Sequence, residues 1–217
     1  MMTESRLESA RKELSMIRLT MAGRFCGTRE WVKLGRPITK GELNLLPEIP
    51  WGDEILTSPC LFFPEKAVSQ THLLFLSVPE SIRSLTGYLP RQFTRSDIEA
   101  WHMKEEEKFS AINSSFSWHL VPIAPILSFA GRSYEEQLAL LPEGYRVMSA
   151  VDATIEHLLY RTSFGKPLLE SGHWRNCRDV TSDGKVVKVC ETEKGVSYGR
   201  YPEYPRPTTT LAIERMP

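Results

Sequence analysis

The hydrophobic positions along the chain predict one long amphipathic helix in its second half. Apolar residues recur every three or four positions over four turns, at Val147, Met148, Val151, Ile155, Leu158 and Leu159. This spacing places them on one helix face, and the glycine and proline at residues 165–167 are typical of a helix end. Asp152, Glu156 and Tyr160 repeat at intervals of four and are predicted to line the opposite face.

Capping boxes predict the starts of three further helices, at residues 5–8, 96–99 and 133–136. In this motif a hydroxyl and, three residues later, a carboxylate satisfy free amides of the first helical turn. The first of these helices carries an apolar stripe, ended by Gly23, that consists of Leu7, Ala10, Leu14, Ile17 and Met21.

Short apolar runs and period-two alternation predict strands. Residues 72–78 and 117–123 are runs typical of buried strands. Farther on, Asp183-Gly184 between two β-prone runs predicts a hairpin, because both residue types tolerate the positive φ of a type I′ turn. If these two residues form the loop, Cys177 faces Cys190 across the paired strands.

These elements predict an α+β fold, with a largely antiparallel sheet and a C-terminal β-meander packed against amphipathic helices. Residues 208–214 are predicted to return as an edge strand. We divide the chain into an N-terminal basic amphipathic helix with its extension, residues 1–34, and a single α+β domain, residues 35–217.

Composition agrees with a globular protein, because 41% of the 217 residues are hydrophobic and 25% are charged. It excludes disordered and collagen-like chains. No apolar run approaches the ~20 residues that cross a membrane, and no signal peptide is apparent. Four cysteines without a C-x-x-C pair are too sparse for a disulfide scaffold. We therefore expect a cytoplasmic protein.

The N-terminal segment is basic, although the 27 basic and 27 acidic residues of the whole chain cancel. The favoured partner of this segment is the acidic remainder of the chain, since only Phe25 and Trp31 offer aromatic contacts to nucleic acid. Nucleic-acid binding is therefore a minor alternative. The stripe is interpreted either as docked on the protein's own core or as a surface for a protein partner or homodimer, formed by Leu7, Leu14, Ile17 and Met21.

Cys177 and Cys190 have three interpretations: buried structural residues, a cross-strand redox pair, or half of a metal site. A zinc site needs two more ligands, and the sequence has no second pair at suitable spacing. We therefore assign no cofactor and no metal, with these two cysteines as the weak metal candidates.

The candidate catalytic residues are Asp152, Glu156 and Tyr160, with His157 on the same helix. They form a carboxylate site if this face lines a cleft, although the polar face of an amphipathic helix is more commonly solvated. Solvation is accordingly the favoured interpretation.

Other ionisable residues are predicted to be structural. His72 and His119 fall in predicted buried strands, where a hydrogen-bonded histidine is the usual outcome. Glu105, Glu106 and Glu107 point in different directions around a predicted helix, so they cannot share one metal and are predicted to be solvated.

Five segments in order resemble a family of uncharacterised bacterial proteins: residues 49–56, 71–79, 117–121, 134–141 and 176–184. In that family a strand after an IP…E.L segment precedes an EEQ helix, an amphipathic helix and a D.DSDG hairpin. The resemblance spans about residues 47–200 and implies this order of elements. It implies no activity, cofactor or catalytic residue.

Familiar catalytic motifs are missing from the sequence, which has no Gly-rich phosphate loop, no G-x-S-x-G and no H-E-x-x-H. The leading hypothesis is a non-enzymatic protein that binds an unknown partner. The alternatives are a hydrolase of unrecognised type with a carboxylate-containing cleft, and a nucleic-acid-associated protein that uses the basic N-terminal segment.

Overall fold

The computed structural model describes residues 12, 14–89, 103–170, 172–193, 195–200 and 207–217. Its helices are α1 (14–20), α2 (Thr28–Leu34), α3 (Lys40–Leu43), α4 (Asp53–Thr57), α5 (Val68–Thr71), α6 (Ile82–Tyr88), α7 (Tyr134–Ala139) and α8 (Ala150–Phe164), with 3₁₀ turns at Lys108–Ala111 and Leu127–Phe129. Its strands are β1 (Phe25–Cys26), β2 (His72–Ser77), β3 (Ser117–Pro122), β4 (Tyr145–Val147), β5 (Trp174–Val180), β6 (Val186–Thr192), β7 (Gly195–Arg200), β8 (Thr209–Leu211) and β9 (Ile213–Arg215). The predicted α+β class is confirmed.

A five-stranded sheet in the order β1-β2-β3-β9-β4 forms one half of the fold. Only the β1–β2 pair is parallel. Every residue of β2 is buried, because Leu73 and Phe75 pack toward α8 while Leu74 and Leu76 pack into a second cluster on the other face. A strand covered on both faces explains the uninterrupted apolar run in the sequence.

The second sheet, in the order β7-β6-β5-β8, contains the predicted hairpin between β5 and β6. The hairpin is confirmed, but the predicted two-residue loop is wrong. Thr181 N donates to Lys185 O at 2.8 Å, which leaves a three-residue loop with Gly184 at φ +77°. A type I turn followed by a left-handed glycine is the common alternative to the two-residue loop.

The predicted facing of Cys177 and Cys190 is also wrong. Cys190 pairs with Trp174, because the longer loop and an irregularity between Asn176 and Val180 change the register. Cys177 packs into the core beside α8, together with Val189. Since neighbouring residues of a strand point to opposite faces, Cys190 lies on the other face of the sheet.

Helix α8 lies between the two sheets and contacts β2, β5, β6 and β7. Ser149 caps its start by accepting a hydrogen bond from Asp152 N, and Gly165 ends it in the left-handed conformation. The helix is confirmed from Ala150 onward, but Val147 and Met148, which the pattern placed on it, lie before its start, with Val147 in β4. The predicted solvation of its polar face is wrong. Every residue from 150 to 160 is buried, because Asp152 packs against the five-stranded sheet and Glu156 packs against the four-stranded sheet.

The chain's last segment connects the two sheets instead of forming a single edge strand, so the prediction for residues 208–214 is wrong in part. Strand β8 lies at the edge of the second sheet, whereas β9 lies inside the first sheet, between β3 and β4. Ala212 joins them, since its N donates to Asn176 O and its O accepts from Met148 N. This crossing places Glu214 inside the five-stranded sheet.

Helix α1 is docked on the protein's own core at Ile17 and Met21, which are 2% and 0% exposed. Leu14 is half-buried, and Leu7 lies outside the described residues. Binding of a partner or a second copy through this stripe stays a prediction, as does the domain boundary after residue 34.

The capping box at residues 133–136 is confirmed, because Ser133 accepts from Glu136 N and the Glu136 carboxylate accepts from Ser133 N. The boxes at residues 5–8 and 96–99 lie outside the described residues. Within the described ranges, no helix combines the length and the hydropathy that crossing a membrane requires.

Candidate serine–histidine site

Polar side chains form two separate buried networks around α8. We name the first the serine–histidine network; it joins α8 to the five-stranded sheet and consists of Ser77, Ser114, Ser117, His119, Asp152 and Glu214. We name the second the arginine network; it joins α8 to the four-stranded sheet and consists of Glu156, His157, Arg161, Arg175 and Glu191.

The serine–histidine network contains a continuous chain from a hydroxyl through an imidazole to a carboxylate. Ser117 Oγ lies 3.1 Å from His119 Nε2, and His119 Nδ1 contacts the Glu214 carboxylate. Ser117 and His119 share a face because they are two residues apart on β3. Leu120, the neighbour of His119 on β3, pairs with Arg215 of β9. The residue before Arg215, Glu214, therefore points to the same face as His119.

The contacts of His119 define which ring nitrogen carries the proton. An ionised carboxylate can only accept a hydrogen bond, so Nδ1 donates to Glu214, and Nε2 is left to accept from Ser117 Oγ. Burial tends to raise the pKa of Glu214, but the hydrogen bond from His119 and the neighbouring Arg146 outweigh it. The pKa of Glu214 is lowered from 4.5, and the group is ionised at neutral pH.

Asp152 enters the same network from the first turn of α8. Its carboxylate accepts hydrogen bonds from the hydroxyls of Ser149 and Ser114, and from Ser77 Oγ at 3.3 Å. Its Oδ1 also lies 3.7 Å from His119 Nε2. The carboxylate is therefore held in one orientation beside the imidazole.

The network reaches solvent at Ser115 and Ser117. Ser115 is exposed, Ser117 is half-buried, and their hydroxyl oxygens are 2.8 Å apart. His119 and Glu214 behind them are each 2% exposed. An incoming molecule would meet the hydroxyls first and the imidazole second.

A small cavity in the described part of the chain lies elsewhere, between the sheets. It has a volume of about 10 Å³ and is lined by Pro122, Ile126, Leu169, Arg175 and Thr210, among others. That volume suits one water molecule, so this cavity is not a substrate cleft.

The arginine network is buried except at Arg161, whose side chain is 24% exposed. The Arg175 guanidinium donates to both oxygens of Glu156, and its Nη2 lies 3.1 Å from His157 Nε2. His157 Nδ1 lies 3.1 Å from Glu191, which also contacts Arg161. Burial lowers the pKa of His157, so the ring is neutral, donates through Nδ1 to Glu191 and accepts at Nε2 from Arg175.

The charges of the arginine network balance, with two carboxylates against two guanidinium groups. The network also lacks a hydroxyl or thiol placed against a base. It therefore connects α8 to the second sheet and offers no nucleophile.

The candidate catalytic residues do not converge on one site. Asp152 belongs to the serine–histidine network, whereas Glu156 and His157 belong to the arginine network. Tyr160 packs on Phe164, with ring centroids 4.4 Å apart, and burial raises its pKa above 10.0. Of these four residues, only Asp152 belongs to a network that contains a potential nucleophile.

Sequence reasoning missed the role of Ser117 and Glu214, and it assigned His119 only a structural role. The serine and histidine are two residues apart in a predicted strand, which was a usable signal for a shared face. Glu214 offered no such signal, because the partner of its strand is decided by the crossing at Ala212.

His72 and His119 are buried and hydrogen-bonded, as predicted. His72 contacts the hydroxyls of Thr71 and Tyr145. The predicted solvation of residues 105–107 is wrong for Glu107, which is 2% exposed and accepts hydrogen bonds from the backbone and hydroxyl of Ser182.

All four cysteines are free and buried, and burial raises the pKa of Cys177 well above 9.0. Within the described ranges, no three histidine, cysteine or acidic side chains come together in a way that could hold a metal ion. The predicted redox pair and half-metal site both lack the facing sulfurs that they require.

Comparison with known protein families, with curated proteins and with solved structures found no match for this chain. The resemblance to a family of uncharacterised bacterial proteins therefore stays a prediction.

Proposed function

We propose that this protein is a hydrolase that cleaves a carboxylic ester or amide through an acyl-enzyme on Ser117. The observation that carries this proposal is the chain from Ser117 Oγ to His119 Nε2 and from His119 Nδ1 to the Glu214 carboxylate. A serine is a weak nucleophile unless an oriented base removes its proton, and this chain supplies the base and its orienting group.

The reaction proceeds in two balanced steps. Ser117 Oγ bonds to the acyl carbon while its proton passes to His119 Nε2, and that proton then leaves with the alcohol or amine. A water molecule next attacks the acyl-serine, gives one proton to His119 and releases the acid, with the proton returned to Ser117. Glu214 holds the ring and acts as a positioning residue.

The free state of the cysteines supports a reducing compartment such as the cytoplasm, because all four thiols are unbridged. The same finding agrees with chemistry on serine rather than on cysteine, since the thiol pKa of Cys26 is raised to about 12, mainly by burial.

The test is covalent labelling with a fluorophosphonate, which phosphonylates a serine oxygen only where a neighbouring base activates it. We expect one adduct per chain by intact mass, located at Ser117 by peptide mapping. The variant S117A should lose the adduct, and H119Q should slow labelling by roughly a hundredfold, the lower part of the usual range for a general base. S128A is the matched control, because Ser128 is an exposed serine on a 3₁₀ turn outside the network.

Two results would overturn the proposal. One is a folded wild-type protein that forms no adduct, and the other is an adduct that persists in S117A or maps to another residue. Circular dichroism and thermal unfolding of each variant establish that a lost adduct does not reflect a lost fold.

A further inference from the structure

Two carboxylates approach the His119 ring from opposite sides, whereas a serine–histidine–acid chain needs one. Glu214 contacts Nδ1, and Asp152 Oδ1 lies 3.7 Å from Nε2, the nitrogen that faces Ser117. Asp152 is 5% exposed, so it cannot contact a substrate directly. Any effect on the reaction must act through His119.

The position of Asp152 is closely determined by its own contacts. Hydroxyls of Ser149, Ser114 and Ser77 donate to its two oxygens, and its backbone N donates to Ser149 Oγ at 3.1 Å. Three donors on one carboxylate keep its charge near the ring instead of allowing it to rotate toward solvent.

Among the described contacts, the remaining neighbours of His119 are an aromatic ring and the Glu214 carboxylate, which pairs with Arg146. Strand β2 contributes the Phe75 ring, stacked on the imidazole at 4.9 Å. Strand β9 contributes Glu214, with Arg146 on the far side of that carboxylate at 2.7 Å. In such buried surroundings a charge 3.7 Å away acts more strongly than it does in water.

We propose that Asp152 is a positioning residue for the proposed hydrolase: its carboxylate stabilises the imidazolium that forms when His119 takes the proton of Ser117. This inference rests on the proposed function and deepens it. The second carboxylate strengthens His119 as a base without contacting the acyl group. Its removal should slow acylation while leaving the binding of the probe unchanged.

The test compares D152N with D179N, a matched control. Asp179 also lies at the start of α8, where it accepts a hydrogen bond from Ala150 N, but it does not belong to the serine–histidine network. Ring-nitrogen NMR of the full chain over a descending pH series measures the imidazolium fraction of His119 at each pH. We expect this fraction to fall in D152N and to stay unchanged in D179N.

Labelling kinetics give the second measurement. D152N should reduce the maximal rate of fluorophosphonate labelling by roughly tenfold, with the half-saturating probe concentration unchanged, since an opposite charge near a titrating group commonly changes its proton affinity by about one to three logarithmic units. A purely structural role of Asp152 would leave the imidazolium fraction at its wild-type value.

A second variant keeps the inference testable if D152N does not fold. S114A preserves the carboxylate but removes one of the donors that hold it beside His119, so the carboxylate can rotate away from the ring and the imidazolium fraction should fall. No change in either variant would overturn the role of Asp152. If the wild-type protein forms no adduct, the proposed hydrolase fails, while the NMR comparison still decides whether Asp152 acts on His119.

Discussion

Replacing Arg175 by methionine should remove about 4 kcal/mol from the free energy of unfolding, within the range measured for breaking a buried ion pair. The guanidinium donates to both oxygens of Glu156, and the two side chains are only 5% and 0% exposed. Methionine fills a similar volume but leaves the Glu156 carboxylate buried without its counter-charge. It also removes the donor that faces His157 Nε2.

The magnitude follows from where the charges lie. A surface pair contributes at most about 1 kcal/mol, because water screens it and replaces it easily. Water does not reach Glu156, so the cost of keeping its charge out of water is fully expressed when the partner is lost. The predicted loss of unfolding free energy in R175M therefore lies near the middle of the range for buried ion pairs and well above the range for exposed ones.

The assay is urea unfolding monitored by circular dichroism and tryptophan fluorescence, with the slope and the midpoint fitted together. The double variant E156L/R175M should recover at least about 2 kcal/mol, because two apolar residues replace the pair and no buried charge is stranded. K33M is the control; Lys33 is 44% exposed in its pair with Glu30 and should change stability by no more than about 0.5 kcal/mol. A loss below about 1 kcal/mol in R175M, or a double variant as unstable as R175M, would refute this reasoning.

Two further predictions concern the hairpin and the response to acid. E107A removes a buried carboxylate that accepts two hydrogen bonds from Ser182 at 2.9 Å. It should lower the unfolding free energy by about 2 kcal/mol and speed amide exchange at Ser182. The control E106A should do neither. Burial, followed by the charge of Arg215, lowers the pKa of His72 from 6.5 to about 3. Between these two pH values the unfolded chain binds a proton that the folded chain does not, so stability falls as the pH drops from 6.5 toward 3. H72N should reduce the slope of stability against pH by up to about 1.4 kcal/mol per unit there, and an unchanged slope in pH-dependent thermal unfolding would contradict the assignment.

Much of the local structure was predictable because it depends on neighbours in the chain. The run that becomes β2, the box at Ser133 and the glycine that ends α8 each act within a few residues. The hairpin at Asp183-Gly184 was predictable for the same reason. Its register was not, because the loop length and the irregularity before Val180 depend on how β5 fits β6.

The candidate site was predictable only in part. Asp152 was named from its helix face, and Ser117 and His119 fall in a strand that the sequence predicts. Their grouping depends on β9 lying beside β3, which brings Glu214 against a histidine 95 residues earlier. The same packing buries Glu156 and His157, which the amphipathic pattern alone assigned to solvent.

The sequence by itself determined several of the helical and extended segments, where some of them begin and end, and that the chain combines both kinds of element. Only the tertiary structure decided which polar side chains lose contact with water and which of them meet. The physical reason is that capping, backbone conformation and periodicity are set over a few residues, whereas the burial of a charge is set by whatever packs against it. In this protein a second sheet covers α8, and the C-terminal strand β9 completes the chain from Ser117 to Glu214.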